Sequence, residues 1–112
     1  MKVPIQQFLN SAIYRIGIIK YATKLVESRP TQDSISDQAV TIVGQKDYKK
    51  WAVMKCPCGC GDILNLSLMR NIEPNWHLNI DNLGRLTLSP SIWKTDGCRS
   101  HFYLRQSKVI WV

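Results

Sequence analysis

Five side chains able to bind a transition metal are concentrated in two short segments. Three cysteines lie within Cys56–Cys60, and Cys98–His101 adds one more thiol and an imidazole. Thiolate and imidazole are the ligands that zinc prefers in a tetrahedral shell, and Pro57 and Gly59 favour a tight turn that directs neighbouring thiols towards one ion. The spacing therefore predicts a zinc site drawn from Cys56, Cys58, Cys60, Cys98 and His101.

The sequence leaves two zinc arrangements open. In the first, three thiolates and the imidazole of His101 close the shell, and the ion only crosslinks a small domain. In the second, two thiolates and His101 bind the ion and water occupies the fourth position, as in catalytic zinc sites. A standard zinc ribbon is disfavoured, since 37 residues separate Cys60 from Cys98 and no C-x₂-C pair is present.

A hydrolytic zinc site also needs a general base and a group that stabilises an oxyanion. The nearest carboxylates are Asp62, two residues after the cysteine cluster, and Asp96, two residues before Cys98. Asp62 is our first candidate for the base. Ser91, Arg99 and Ser100 are candidates to position a substrate carbonyl, although Ser100 is also well placed to donate a hydrogen bond to a thiolate.

The elements that position these residues are an N-terminal helix and a β domain. Apolar residues recur every three or four positions from Ile5 to Ile19, which predicts an amphipathic, basic helix over residues 1–30. A polar run beginning near Pro30 predicts a linker over residues 31–38. Residues 39–112 then form the zinc-binding domain.

Alternating apolar residues predict that this domain is built from antiparallel strands. The pattern indicates strands at 40–43, 51–54, 63–68, 76–80, 86–88, 102–104 and 109–112, with turns at 81–84 and 106–107. The fold class is therefore mainly β (α+β), with a small antiparallel zinc-binding domain after one helix. In the same pattern, Trp76, Trp93 and Trp111 are expected to be buried or half-buried, and His77 exposed.

The length and charge limit the kind of partner. One hundred and twelve residues suit one small domain, and no apolar run approaches the roughly 20 residues of a transmembrane helix. Without an evident signal peptide, we expect a cytoplasmic protein with reduced thiols. The net charge of +7 keeps nucleic acid as an alternative partner.

Three sequence blocks resemble a bacterial family known as domain of unknown function 6527. They are residues 56–61, 88–93 and 97–102, followed by a terminal Ile110-Trp111, and the resemblance covers roughly residues 39–112. The last residue departs from the pattern, because Val112 stands where many relatives have cysteine. The resemblance implies a place beside bacterial ubiquitin-like proteins and relatives of E1 and E2 enzymes, where other systems carry a zinc-dependent JAB-type peptidase.

Together, the ligand set and the resemblance predict a zinc-dependent peptidase or isopeptidase. It would process or remove a ubiquitin-like protein in a ubiquitination-like antiphage pathway, with zinc activating water and Asp62 moving the proton. The alternative is a non-catalytic module, stapled by zinc, that binds a protein partner or nucleic acid.

Overall fold

The computed structural model describes residues 21–112, and these residues form two four-stranded β-sheets. Strands β1 to β4 make the first sheet and β5 to β8 the second, each in sequence order. Their bounds are β1 Ala22–Val26, β2 Ala39–Gln45, β3 Tyr48–Lys55, β4 Ile63–Ser67, β5 His77–Ile80, β6 Leu86–Trp93, β7 His101–Arg105 and β8 Lys108–Trp111. The mainly β fold class and the positions of the predicted strands are confirmed.

The first sheet carries the cysteine-rich turn at the end of its third strand. β1 runs parallel to β2, whereas β2, β3 and β4 pair as antiparallel neighbours. The β3–β4 connection contains Cys56 to Asp62, and its base is closed by Lys55 pairing with Ile63. This sheet therefore positions the turn that carries three of the four cysteines.

The second sheet is antiparallel throughout and contains a bulge in β6. Leu88 pairs with Leu104 and Ile92 pairs with Phe102, so residues 89–91 of β6 lie opposite Tyr103 alone. Extra residues on one strand bend it and redirect its side chains. Ser91 lies in this bulge, next to the β7 strand that begins at His101.

One apolar core joins the inner faces of the two sheets. It takes residues from strands β2 to β8, mostly at alternate positions, because successive side chains of a strand point to opposite faces. Its fully buried members include Ile42 and Met54 from the first sheet and Leu88, Phe102 and Leu104 from the second. His101 and Tyr103, which alternate with Phe102 and Leu104 on β7, consequently lie on the outer face of the second sheet.

The prediction of an N-terminal helix over residues 1–30 is wrong in the part of that range that the structure describes. Residues 22–26, expected to end a helix, form β1, because main-chain pairing with residues 39–43 and apolar packing outweigh a helical pattern weakened by Gly17. The β domain consequently starts before residue 39. The remainder of the predicted helix, residues 1–20, lies outside the described residues. The predicted linker contains a short 3₁₀ turn, Gln32–Ser34, and a buried Ile35 packed against Val43 and Val53.

Two tryptophans also differ from expectation. Trp76 is half-buried and His77 exposed, as the alternation predicts. Trp93 and Trp111, however, are 63% and 52% exposed. Both lie near the end of the second sheet where His101 begins β7, so the exposed aromatic surface is concentrated beside a candidate site residue. No helix in residues 21–112 is long and apolar enough to span a membrane.

Candidate functional site

The four cysteines lie on two turns, and main-chain hydrogen bonds stabilise each turn. In the first turn the Cys56 N–H donates to the Asp62 carbonyl at 2.8 Å and the Gly59 N–H to the Cys56 carbonyl at 3.2 Å. Gly59 has φ +88°, which side-chain-bearing residues rarely adopt. In the second turn the Arg99 N–H donates to the Asp96 carbonyl at 3.1 Å, which presents Cys98 to the first turn.

The sulfur atoms of Cys56, Cys58, Cys60 and Cys98 all lie within 4.8 Å of one another, and these four residues could hold a metal ion. Cys56 Sγ is 3.5 Å from Cys58 Sγ and 3.6 Å from Cys98 Sγ, and Cys60 Sγ is 3.7 Å from Cys98 Sγ. Four thiolates bound tetrahedrally at about 2.3 Å have sulfurs about 3.8 Å apart. The observed separations therefore fit one ion and are too long for disulfide bonds.

The thiols differ in how readily they ionise. The Ser100 hydroxyl, 3.2 Å from Cys98 Sγ, and the Ser100 N–H lower the pKa of Cys98 to about 6. Burial raises the pKa of Cys56. A hydrogen bond from the Asp62 N–H favours the Cys60 thiolate, but the neighbouring thiols outweigh it and raise the pKa of Cys60 to about 12. Four thiolates so close together need a cation to compensate their charge.

His101 is not a member of this sulfur group. Its Nε2 atom lies 2.9 Å from Ser91 Oγ, within hydrogen-bonding distance. Trp93 pairs with His101 across β6 and β7, and Ser91 precedes Trp93 by two residues, so all three side chains lie on the outer face of the sheet. The structure thus separates the predicted five-ligand set into a four-cysteine cluster and a serine–histidine pair.

Two tryptophans hold the serine–histidine pair. The Trp93 indole stacks on the His101 imidazole, with ring centroids 5.1 Å apart and planes 14° from parallel. On the other side of β6, Trp76 Nε1 donates to the Ser91 carbonyl at 3.2 Å. No carboxylate of residues 21–112 is placed against the ring nitrogens of His101, and residues 1–20 contain no Asp or Glu.

The remaining predicted catalytic residues have other partners. Asp62 Oδ2 forms an ion pair with Lys94 Nζ at 2.6 Å, and Asp96 Oδ1 lies 3.3 Å from the same ammonium group. Ser100 is buried, with its hydroxyl 3.2 Å from Cys98 Sγ and 3.5 Å from Cys56 Sγ. Arg99, with φ +54°, forms part of the second turn. Of the predicted positioning groups, the structure brings Ser91 to the imidazole of His101 and Ser100 to the sulfur atoms.

A cleft of about 380 Å³ is lined in part by Trp76, the residue whose indole donates to the Ser91 carbonyl. Its lining combines the basic residues Lys49 and Arg70 with apolar side chains of β5. Trp76 thus links the main chain of Ser91 to a concave, positively charged surface.

A serine hydroxyl that donates to an imidazole nitrogen is the arrangement used for nucleophilic catalysis. The imidazole removes the proton as the oxygen attacks a carbonyl carbon, and later gives it to the leaving group. Sequence reasoning treated Ser91 as a positioning residue and His101 as a zinc ligand. The signal that could have found the pair is the run Ser89-Pro90-Ser91, in which proline interrupts a strand and implies a bulge.

A family model described as "Bacterial ubiquitination-like system serine protease (BubE)" matches residues 26–112. The match supports the association with ubiquitination-like systems that the sequence resemblance implied, and it describes a protease. No curated protein and no solved structure matches this chain.

Proposed function

Because this chain belongs to the BubE family of bacterial ubiquitination-like system serine proteases, we propose that it is a serine protease in which Ser91 is the nucleophile and His101 the general base. The single observation that carries the assignment is the 2.9 Å distance between Ser91 Oγ and His101 Nε2. The substrate we propose is the C-terminal tail of a ubiquitin-like protein, cleaved at a peptide or isopeptide bond.

The reaction follows from this geometry. Ser91 Oγ attacks the scissile carbonyl while His101 Nε2 takes the hydroxyl proton, and the resulting tetrahedral intermediate collapses to an acyl-enzyme as Nε2 protonates the leaving amine. Water then gives a proton to Nε2 and attacks the ester, and Nε2 passes this proton to Ser91 Oγ as the new carboxylate is released. For Nε2 to accept, the proton of neutral His101 must be on Nδ1.

In a serine–histidine–aspartate triad the carboxylate orients the histidine. We propose that Trp93 partly fulfils this role for His101. A stacked indole restricts rotation of the imidazole, and its π face attracts the imidazolium that forms during the reaction. We therefore assign Trp93 as a positioning residue for His101.

The four cysteines are proposed to bind a structural zinc ion. Four sulfur ligands fill a tetrahedral shell and leave no position for water, and four thiolates give the zinc centre a net negative charge, which weakens it as a Lewis acid. Bound zinc would supply a crosslink between the β3–β4 turn and the segment that leads into His101. This proposal replaces the zinc-activated water expected from the sequence.

The test uses a ubiquitin-like protein of such a system with a C-terminal extension, and cleavage is measured by intact mass. We expect Ser91→Ala and His101→Ala each to lower the rate by about a thousandfold or more. The matched control is Ser89→Ala, which changes an exposed serine two residues away on the same strand. A fluorophosphonate probe should label Ser91 in the wild-type protein and nothing in Ser91→Ala.

Two results would overturn the assignment. Cleavage by folded Ser91→Ala at the wild-type rate would exclude Ser91 as the nucleophile. Tight binding of the ubiquitin-like protein without cleavage, and without probe labelling, would favour the non-catalytic zinc-stapled module.

A further inference from the structure

The β6 strand is longer than the β5 strand that pairs with it. β5 pairs with β6 from Ile80↔Leu86 to His77↔Ser89, and β6 continues to Trp93. Within residues 21–112 no strand pairs with positions 90–93 on that side. The last residues of β6 therefore form an open sheet edge immediately beside Ser91.

The hydrogen-bond alternation of the sheet shows which main-chain groups this edge presents. The Lys94 N–H donates to the Ser100 carbonyl at 2.8 Å, and the Val112 N–H donates to the His101 carbonyl at 3.0 Å. In an antiparallel ladder only every second pair exchanges hydrogen bonds, so Ile92 bonds to Phe102 while Trp93 and His101 face each other without main-chain bonds. The Trp93 N–H and C=O consequently point away from β7, towards the open edge.

The open edge ends close to the nucleophile. Pro90 has no N–H to offer, the Ser91 carbonyl accepts from Trp76 Nε1, and β5 occupies the edge from Ser89 onward. A chain that paired with Trp93 would have to leave the edge at this point. Its path would then rise past Ser91, whose side chain lies on the outer face with His101.

From this placement we propose that the open edge of β6 at Ile92 and Trp93 binds the substrate as an added β-strand. The occupant is an extended, unstructured peptide segment flanking the scissile bond, because only extended chain matches the spacing of a sheet edge. The exposed Trp93 side chain adds an apolar contact to the main-chain hydrogen bonds. This proposal rests on the proposed function for the identity of the peptide, but not for the existence of the binding edge.

Binding to catalytically inactive protein tests the edge separately from cleavage. Fluorescent peptides of about 12 residues, from the C-terminal tail of a ubiquitin-like protein of such a system plus its extension, are titrated against Ser91→Ala. Each peptide carries one N-methylated residue, which removes a main-chain donor while keeping the side chain. We expect Kd to rise about tenfold when the methyl group is on the peptide residue that donates to the Trp93 carbonyl, and to change little at the neighbouring positions, since Trp93 is the residue of this edge whose main-chain groups point outward.

A second readout observes the edge directly. On addition of the unmodified peptide, hydrogen exchange of the Trp93 amide should slow by tenfold or more, because it gains an acceptor. The Ile92 amide, already bonded to β7, is the internal control and should change little.

The outcomes separate the two proposals. Sensitivity to N-methylation at one peptide position, together with Trp93 protection, supports the added strand, even if the wild-type protein fails to cleave and the proposed function falls. Uniform tolerance of N-methylation, or an unprotected Trp93 amide with peptide bound, would overturn the added strand while leaving serine catalysis standing. Failure of every peptide to bind would also overturn it, as would follow from an edge already paired with residues 1–20 or with a second copy of the chain.

Discussion

The indole of Trp93 stacks on the imidazole of His101, with ring centroids 5.1 Å apart, and the Nε2 atom of that imidazole lies 2.9 Å from Ser91 Oγ. The stacking follows from strand register, because Trp93 and His101 are a cross-strand pair without main-chain hydrogen bonds between them, in which side chains approach most closely. The sheet thereby orients a histidine that has no carboxylate partner among residues 21–112.

Replacing Trp93 should slow catalysis without unfolding the protein. We expect Trp93→Leu to lower kcat about fivefold, since an exposed cation–π contact contributes about 1 kcal/mol, and Trp93→Phe to lower kcat less. Because Trp93 is 63% exposed, the melting temperature should change little. Steady-state kinetics on a fluorogenic peptide measure the effect, with Tyr48→Leu as the control for loss of an exposed aromatic residue. An unchanged kcat in Trp93→Leu would show that Trp93 does not position His101 for catalysis.

Removing the proposed zinc ion should destabilise the fold and abolish the proposed cleavage together. If zinc is structural, activity after incubation with a strong chelator should fall in parallel with near-ultraviolet circular dichroism, because the crosslink to the His101 segment is lost. Cobalt substitution should give sulfur-to-metal charge-transfer bands typical of four thiolates. Loss of activity while the spectrum of the folded protein persists would instead indicate that the metal takes part in the reaction.

His101 was predicted to bind zinc but lies against Ser91, because the spacing of residues along the sequence does not specify where their side chains point. Alternation predicts the strands, and the short C-x-C-x-C spacing predicts that the thiols share one ion. Neither pattern shows side-chain direction after a turn. Cys98 and His101 are three residues apart, but Cys98 faces the thiols while His101 begins β7 and faces Ser91.

The register of the bulge in β6, which Pro90 signals, and the strand β1 were also beyond prediction, for a different reason. Both depend on pairing with distant residues, namely Tyr103 opposite residues 89–91 and residues 39–43 beside β1. Such long-range pairing overrides local propensity. The apolar pattern from Ile5 to Ile19, from which a helix over residues 1–30 was predicted, carried no information about the strand that pairs with Ala22–Val26.

Ser100→Ala should separate the serine proposed to support the zinc ligands, Ser100, from the serine proposed as the nucleophile, Ser91. The Ser100 hydroxyl lies 3.2 Å from Cys98 Sγ and is buried. Its loss should weaken zinc affinity about tenfold, as for other groups that hydrogen-bond metal ligands, while kcat with excess zinc stays within about twofold of wild type. Competition with a chromophoric chelator measures the affinity, and Ser89→Ala is the control. A thousandfold loss of kcat in zinc-loaded Ser100→Ala would make Ser100, and not Ser91, the candidate nucleophile.

Asp62→Asn should leave cleavage nearly intact. The sequence favoured Asp62 as a general base, whereas the structure pairs its carboxylate with Lys94 at 2.6 Å. With an exposed partner the ion pair is worth less than about 1 kcal/mol, so the free energy of unfolding should fall only slightly. Initial rates of cleavage provide the measurement, with Asp47→Asn, an exposed turn residue, as the control. A hundredfold loss of kcat would restore Asp62 to the mechanism.

The turn between β5 and β6 should give the fold an acid-sensitive contact at Asp81. Burial alone would raise the pKa of this carboxyl, but hydrogen bonds from the Arg85 and Leu83 N–H groups and from the Arg85 side chain, at 2.7 Å, lower it overall. A pKa below the unfolded value stabilises the fold above about pH 4, and this contribution is lost as the pH falls through the folded pKa.

We therefore expect Asp81→Asn to lower the free energy of unfolding by about 1 kcal/mol at pH 7, and the difference from wild type to shrink as the pH falls below about 4. Urea denaturation of both proteins from pH 7 to pH 3 measures it, with Asp47→Asn as the matched turn variant. A difference that stays constant over this range would show that the Asp81 carboxylate charge does not stabilise the turn.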